Sequence, residues 1–412
     1  MRPPPGDPPG NTPNGRSAGG HRHPRARVLQ PTRMAPTKSP MTGTDDRFEI
    51  FLAAPPGLEE TLAAEVAGKG FRQPKVVPGG VVTTGGWPDV WRANLWIRGA
   101  SRVLARVAQF RAVHFAQLDE RAHAVEWNSL LRRDVPFRVE ASCAGSKLWH
   151  SGAVAQRVAT AIRETVGAPE AEDAPVLVRA RVEKDLCTLS IDTSGDVLHK
   201  RGFKQAVNPA PLRETMAALF LMQCGYGGTE PLLDPMCGAG TFVIEAAEMA
   251  ARLNPGRART FAFEHLRNFD AEAWARMRAV ARAGVEGVTC LGFDRDAGAV
   301  AMSIANAERA GVSAGTRFAQ GTISDLRRPE GAPGLVIVNP PYGSRIGDRK
   351  ALAPLYRALG QVLRERFAGW RVGLVAAEPA LARETRLPFL PPGPPVPHGG
   401  MRVTLFRTGP LG

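Results

Sequence analysis

The carboxyl-terminal half of this 412-residue chain predicts an α/β domain built on a mostly parallel sheet, and three observations carry that prediction. Short apolar runs at 232–233, 289–293, 316–319, 335–338 and 371–376 alternate with stretches of helical composition, the rhythm of a sheet with helices on both faces. The first of these runs leads through a glycine-bearing turn into a helix-forming stretch at 242–250. The run at 335–338 ends in Asn339-Pro340-Pro341-Tyr342. Ligands of open α/β sheets collect at the carboxyl ends of strands, so the chemistry is sought there.

In chain order, residues 1–46 are rich in Pro, Gly, Arg and Ser without apolar periodicity, and predict a disordered tail. Met34 and Met41 are alternative starts within it, since patterned sequence begins at Arg47. No apolar core follows the early arginines, which argues against a secretory signal. No uninterrupted apolar stretch is long enough for a membrane helix. Residues 47–204 mix short strands and helices, an α+β pattern, with an amphipathic helix over 57–66 and an alternating strand over 136–143. Arg98, Arg102 and Arg106 recur every four residues, which predicts three cations on one face of a helix running through Phe110. Gly202 and the prolines near 209–211 mark a boundary, and a helix is expected from Leu212. Residues 205–412 then form the α/β domain, closed by a strand in the run 399–407.

A formal charge of +14 favours a polyanionic partner such as nucleic acid. Five scattered cysteines, odd in number and without a Cys-x-x-Cys pair, point to reduced thiols in a cytoplasmic setting and against a structural zinc site.

The strand-end motifs carry the chemistry. A residue before proline is pushed out of the helical region, so Asn339 and Pro340 are expected to be extended, with Gly343 turning the chain away. The Asn339 side-chain oxygen and the Pro340 carbonyl can each accept a hydrogen of a planar amino group, and Tyr342 offers a face for stacking a base. The same four residues also suit a polar turn after a buried strand. Upstream, Asp234-Pro235-Met236-Cys237-Gly238-Ala239-Gly240-Thr241 reads as strand, tight turn and helix start. Val243 stands where a dinucleotide fingerprint wants a third small residue, and no Gly-Lys-Ser/Thr follows, so a nucleoside without phosphates fits better than a dinucleotide or a P-loop ligand. Asp294, in Asp294-Arg295-Asp296 after a third strand, is the candidate for accepting both hydroxyls of a ribose, with a helix cap as its other reading. Three such strand ends in this order favour S-adenosylmethionine. Cys237 lacks an evident activating base and is not expected to act as a nucleophile.

The octad at 234–241, Asn339-Pro340-Pro341-Tyr342-Gly343 and the run at 210–218 resemble the THUMP-domain class I S-adenosylmethionine-dependent ribosomal RNA guanine-N2 methyltransferases, from about Phe48 to the C-terminus. The resemblance implies a ferredoxin-like entry region and a THUMP module before a Rossmann-like methyltransferase domain. It also implies an inserted helical segment within 251–287. S-adenosylmethionine would be the cofactor, with no metal, and structured ribosomal RNA of the large subunit the partner. The site residues so implied are Asn339, Pro340, Pro341 and Tyr342 around the target base, and Asp234, Pro235, Met236, Cys237, Gly238, Gly240, Thr241, Asp294 and Arg295 around the cofactor. Relatives place an acid just after the strand near Phe318, where this chain has Gln320, so Asp325 is the candidate adenine contact. Lys147, His150 and Arg157 are the candidate RNA contacts. A methyltransferase acting on adenine N6 shares the Asn-Pro-Pro-Tyr chemistry, and a noncatalytic RNA-binding protein would share only the basic module.

Overall fold

The computed structural model describes residues 47–204, 212–341 and 348–412. The first part runs β1 (Phe48–Ala53), α1 (Glu59–Gly68), β2 (Lys75–Val77), β3 (Gly80–Gly85), α2 (Trp87–Trp96), β4 (Arg102–Arg111), α3 (Phe115–His123), α4 (Trp127–Leu130), β5 (Phe137–Ala144), α5 (Ser151–Val166), β6 (Val176–Glu183) and β7 (Leu186–Asp192). These strands form one seven-stranded sheet in the order β2-β3-β1-β4-β7-β6-β5, antiparallel except for β5 and β6. Strand β4 joins its two halves: it pairs with β1 on one side and with β7 on the other. Alternation sets the layers. Ile50, Leu52, Val103 and Ala105 are buried beneath the helices, while Glu49, Arg102 and Arg106 lie on the open face.

The basic helical stripe expected from Arg98, Arg102 and Arg106 does not exist. Helix α2 stops at Trp96, and Arg102 and Arg106 belong to strand β4. A spacing of four repeats on one face of a strand as well as on a helix, and the β-branched and aromatic residues Val103, Val107 and Phe110 tip the balance to strand. Arg102 pairs with Asp192 and Arg106 with Glu49 on the open face. Arg98 is buried. The helix expected from Gly57 starts at Glu59, because Gly57 has φ of +96° and its N–H is taken by the Glu59 carboxylate at 2.6 Å.

The second part runs α6 (Glu214–Gln223), β8 (Leu232–Asp234), α7 (Thr241–Ala250), α8 (Ala271–Ala279), β9 (Cys290–Asp294), α9 (Ala297–Ala310), β10 (Thr316–Gln320), β11 (Leu335–Val338), α10 (Asp348–Arg366), β12 (Arg371–Ala376), α11 (Pro379–Glu384), β13 (Val396–His398) and β14 (Met401–Arg407). Its sheet has the order β10-β9-β8-β11-β12-β14-β13, parallel through β12 and closed by antiparallel β14 and β13. This is the doubly wound class I methyltransferase architecture, preceded by the ferredoxin-like and THUMP-type α+β module that the resemblance implied. Leu335 to Val338 are all fully buried, as a central parallel strand requires. The strands β10 to β12 of this order all run parallel, and the order in which they are added reverses at β8, with β9 and β10 to one side and β11 and β12 to the other, which is the crevice position of such sheets.

The segment between α7 and β9 anchors the two parts. Phe261, Phe263 and Trp274 form an aromatic cluster, with Phe263 stacked on Trp91 of α2 at 6.1 Å between centroids. Beside it, Arg98 reaches into α7, with Nη1 2.8 Å from Glu245 and 3.1 Å from Glu248, while Arg201 lies 3.2 Å from Glu245 and Arg257 2.5 Å from Glu248.

Candidate active site

The turn from Asp234 to Thr241 sits at the carboxyl end of β8, and its shape follows from its glycines. Gly238 and Gly240 have φ of +54° and +81°, and a Cβ on Gly240 would meet Ser303 at 3.1 Å. Neighbouring elements then fix each step of the turn. The Asp234 carboxylate accepts from Met236 N at 3.0 Å, and Cys237 N donates to Phe293 O of β9 at 2.8 Å. From α9, Ser303 Oγ donates to Gly238 O at 2.7 Å and Asn306 Nδ2 to Ala239 O at 3.1 Å. Lys204 Nζ donates to Thr241 Oγ1 at 2.9 Å. Pro235 is buried between these contacts.

Asp294 ends β9 beside the turn. Its Oδ2 accepts from Gly238 N at 2.9 Å and its Oδ1 from Asp296 N at 3.0 Å, so the carboxylate is aimed at the turn and half-buried. The helix-cap reading belongs to Asp296, which accepts from Gly298 N at 2.8 Å at the start of α9. Asp234 is buried, and burial first, with Asp294 adding to it, pushes its carboxyl up to about 8 against the Met236 N–H. Burial likewise raises the Cys237 thiol far above its ordinary value, which removes the thiolate a nucleophile would need.

Asn339 follows β11, the neighbour of β8 on the side opposite β9. Its Oδ1 is buried and has no hydrogen-bond partner among the described residues. Pro340 is buried and Pro341 exposed, with the Tyr356 hydroxyl of α10 donating to Pro341 O at 3.4 Å. Tyr342, the expected stacking face, lies outside the described residues.

The other candidates make contacts of their own. Arg295 is exposed, and its carbonyl accepts from Gln320 Nε2 at 3.0 Å. Asp325 is exposed and turned back on its own 3-10 turn, accepting from Thr322 N and Oγ1 at 3.2 and 2.7 Å, and the Thr322 hydroxyl holds its carboxyl below the usual range. In the amino-terminal module His150 is the cap of α5, accepting from Ala153 N at 3.0 Å, and the Arg157 guanidinium pairs with Asp119. Lys147 is exposed, with its N–H on Asp185. The residues missed by the sequence reading are Lys204, Ser303, Asn306, Tyr356 and Trp149. Ser303 and Asn306, polar and fully buried on α9, break its apolar face, which is the signal that could have found them. Trp149 is 77% exposed beside His150, an unusual place for the largest side chain.

Comparison with known proteins agrees with this fold. Residues 201–387 match the family model described as RMKL-like, methyltransferase domain. Residues 49–104 match the RlmL ferredoxin-like domain and 112–192 the THUMP domain. The chain is 35% identical over 340 residues to a ribosomal RNA large subunit methyltransferase K/L of Vibrio campbellii, covering 79% of this chain and 48% of that protein. It thus spans about half the length of such relatives. It is 30% identical to the putative RNA methyltransferase slr0064 of Synechocystis sp., covering 85% of this chain and 94% of that one. Among solved structures, SMU.472, a putative methyltransferase complexed with SAH, superposes with a TM-score of 0.80 at 26% identity, covering 89% and 99% of the two chains.

Proposed function

The chain belongs to the family of methyltransferases that carry an RMKL-like methyltransferase domain behind RlmL ferredoxin-like and THUMP domains, and from that premise we propose that it methylates the exocyclic N2 amino group of a guanine in large-subunit ribosomal RNA. We read residues 47–204 as the RNA-binding module and 205–412 as the catalytic domain. The observation that carries the reading is the Asn339 side-chain oxygen, buried without a donor at the end of β11 beside the glycine turn. A buried acceptor left unpaired is costly, and a substrate amino group supplies the missing donor.

The residues fit S-adenosylmethionine, which when bound supplies a methyl group on an electrophilic sulfonium. The turn at 236–240 presents close backbone in place of phosphate-binding groups, and Asp294 offers carboxylate oxygens to ribose hydroxyls. Asp234 and Cys237 hold the turn. A guanine amino group is a poor nucleophile because its lone pair is delocalised into the ring. Hydrogen bonds from that group to Asn339 Oδ1 and the Pro340 carbonyl favour the pyramidal form that attacks, so their gain is largest in the transition state. Orientation provides the rest. Tyr342 is proposed to stack on the base. A target inside folded RNA must first leave its stack, at a cost of a few kcal/mol. In the amino-terminal module, exposed Trp149 between Lys147 and His150 is a platform for an unstacked base, and Lys147 is the cation there without a carboxylate partner among the described residues. The five cysteines are free thiols, consistent with a cytoplasmic setting.

The test is mass spectrometry of ribosomal RNA nucleosides from cells with and without this protein. Loss of a guanine methylated once on its amino group supports the proposal. An unchanged guanine profile with a missing methyladenine would transfer the same site to adenine N6.

A further inference from the structure

A cavity of 780 Å³ lies between the connector after β7, the start of α6, the inserted segment at 258–260 and the turn joining β13 to β14. It adjoins the cofactor turn through Lys204, whose Nζ bonds Thr241 Oγ1. Five basic side chains line it against two carboxylates. Both carboxylates are already matched: Glu214 lies 3.1 Å from Lys204 Nζ, and Asp196 3.2 Å from Lys200 Nζ. Arg201 is matched from behind by Glu245. Arg213 and Arg259 remain, with no carboxylate in ion-pair reach among the described residues.

Arg259 is buried and held by backbone carbonyls, donating to Val197 O, Lys200 O and Asp196 O at 2.7 to 2.9 Å, with its guanidinium 5.3 Å from the centre of the Phe261 ring. Burial, then Arg201, pulls its guanidinium down to about 10, still a cation at neutral pH. Arg213 is exposed at the first turn of α6. His199 on the same wall reports the resulting field: burial first, then Arg213, Arg201, Lys200 and Lys204, hold its imidazole down to about 4. An uncompensated positive cavity of this size suits an anion carried on a nucleotide-sized group. The cofactor is a poor occupant, because its sulfonium gives it a net positive charge.

We propose that this cavity holds a backbone phosphate of the RNA next to the methylated guanine, with Arg213 as its direct contact and Arg259 as the fixed charge behind it. The inference rests on the proposed RNA methyltransferase function. Gripping the neighbouring phosphate would hold the strand while its target base is turned out toward Asn339.

The test uses the full chain, its Arg213→Gln and Arg213→Lys variants, and a fluorescent single-stranded guanine-containing oligoribonucleotide. Anisotropy is measured across a range of salt concentrations and S-adenosylmethionine affinity by calorimetry. Loss of one phosphate contact in Arg213→Gln should make the slope of log affinity against log salt shallower by about 0.7. Arg213→Lys should keep the parent slope, and cofactor affinity should stay put. In NMR titrations of the parent chain, with the resonance assigned through His199→Gln, adding the oligonucleotide should raise the His199 pKa. An unchanged slope, an equal loss of cofactor affinity, or an unmoved His199 at saturating RNA overturns the subsite. If the parent chain methylates RNA while any of these holds, only the subsite fails. If it neither binds nor methylates RNA, the functional reading fails and the subsite with it.

Discussion

Replacing Asn339 by alanine should move activity and stability differently, and the size of each effect follows from one atom. In the free protein Asn339 Oδ1 is buried without a donor, a condition that costs about 1–3 kcal/mol. Asn339→Ala removes that cost and leaves a small void, and the two terms are of similar size, so unfolding free energy should stay within about 1 kcal/mol of the parent. The transition state loses a preorganised acceptor in a water-poor site, worth ~2.7–4 kcal/mol or about a hundred- to a thousandfold in kcat. Asn306→Ala is the control. That side chain is also buried, but its Nδ2 already donates to Ala239 O, so truncation strands a carbonyl and should destabilise by about 1–3 kcal/mol. Single-turnover methyl transfer to ribosomal RNA, paired with urea unfolding of both variants, reads the two effects separately. If Asn339→Ala transferred methyl within about threefold of the parent rate, a change of only ~0.6 kcal/mol, or lost as much stability as Asn306→Ala, the oxygen would be a structural group and the argument would fail.

Four other outcomes follow from the same geometry. Asp294→Ala should weaken S-adenosylmethionine by about tenfold to a hundredfold, as loss of a charge-assisted bond of ~1.5–3 kcal/mol requires; calorimetry should also show that the variant no longer distinguishes the cofactor from its ribose-deoxygenated analogue. Arg98→Ala should cost about 3–5 kcal/mol in urea unfolding because it leaves Glu245 and Glu248 buried and short of a cation, and a loss under about 1 kcal/mol would contradict that. The Asp234 pKa is raised in the folded state from 3.8 to about 8, so its contribution to stability is fully present below the unfolded value and is lost as pH rises through the folded one. Melting temperature should therefore decline from about pH 4 to about pH 8 and level off above that, and Asp234→Asn should flatten that decline. Trp149→Ala should leave melting unchanged, since the ring is exposed, while RNA affinity measured by anisotropy drops by ~1–3 kcal/mol.

What was legible in the sequence was whatever a local pattern dictates. The run at 335–338 is a strand because four consecutive apolar residues between a glycine and a proline pair suit a doubly covered position, and β11 has those bounds. Strand β12 likewise has the expected limits of 371 and 376. The turn at 234–241 and Asp294 meet because each lies at a strand end, and the parallel pairing of β8 with β9 brings such ends together. The arginines at 98, 102 and 106 were misread because a four-residue spacing satisfies both periodicities, and the intervening β-branched residues together with the partner strands β1 and β7 decide between them. Partners distant in sequence were invisible for the same reason: nothing local couples Lys204 to Thr241, Asn306 to Ala239 or Arg98 to Glu245.

Those distant partners converge on one helix, and that gives the architecture its logic. Helix α7 begins at Thr241, the last residue of the cofactor turn, and one and two turns later presents Glu245 and Glu248 to three arginines. Each arginine arrives from a different segment: Arg98 from the amino-terminal module, Arg201 from the connector and Arg257 from the inserted segment that also stacks Phe263 on Trp91. Net stability is a poor reason for such a network, because apolar side chains of equal volume usually do as well in a buried site. Direction is a better one. A guanidinium between two carboxylates tolerates few geometries, so the network fixes how the amino-terminal sheet meets α7. Since the same helix starts where the cofactor turn ends, whatever the amino-terminal module grips is held at a set position from the residues proposed to perform the transfer.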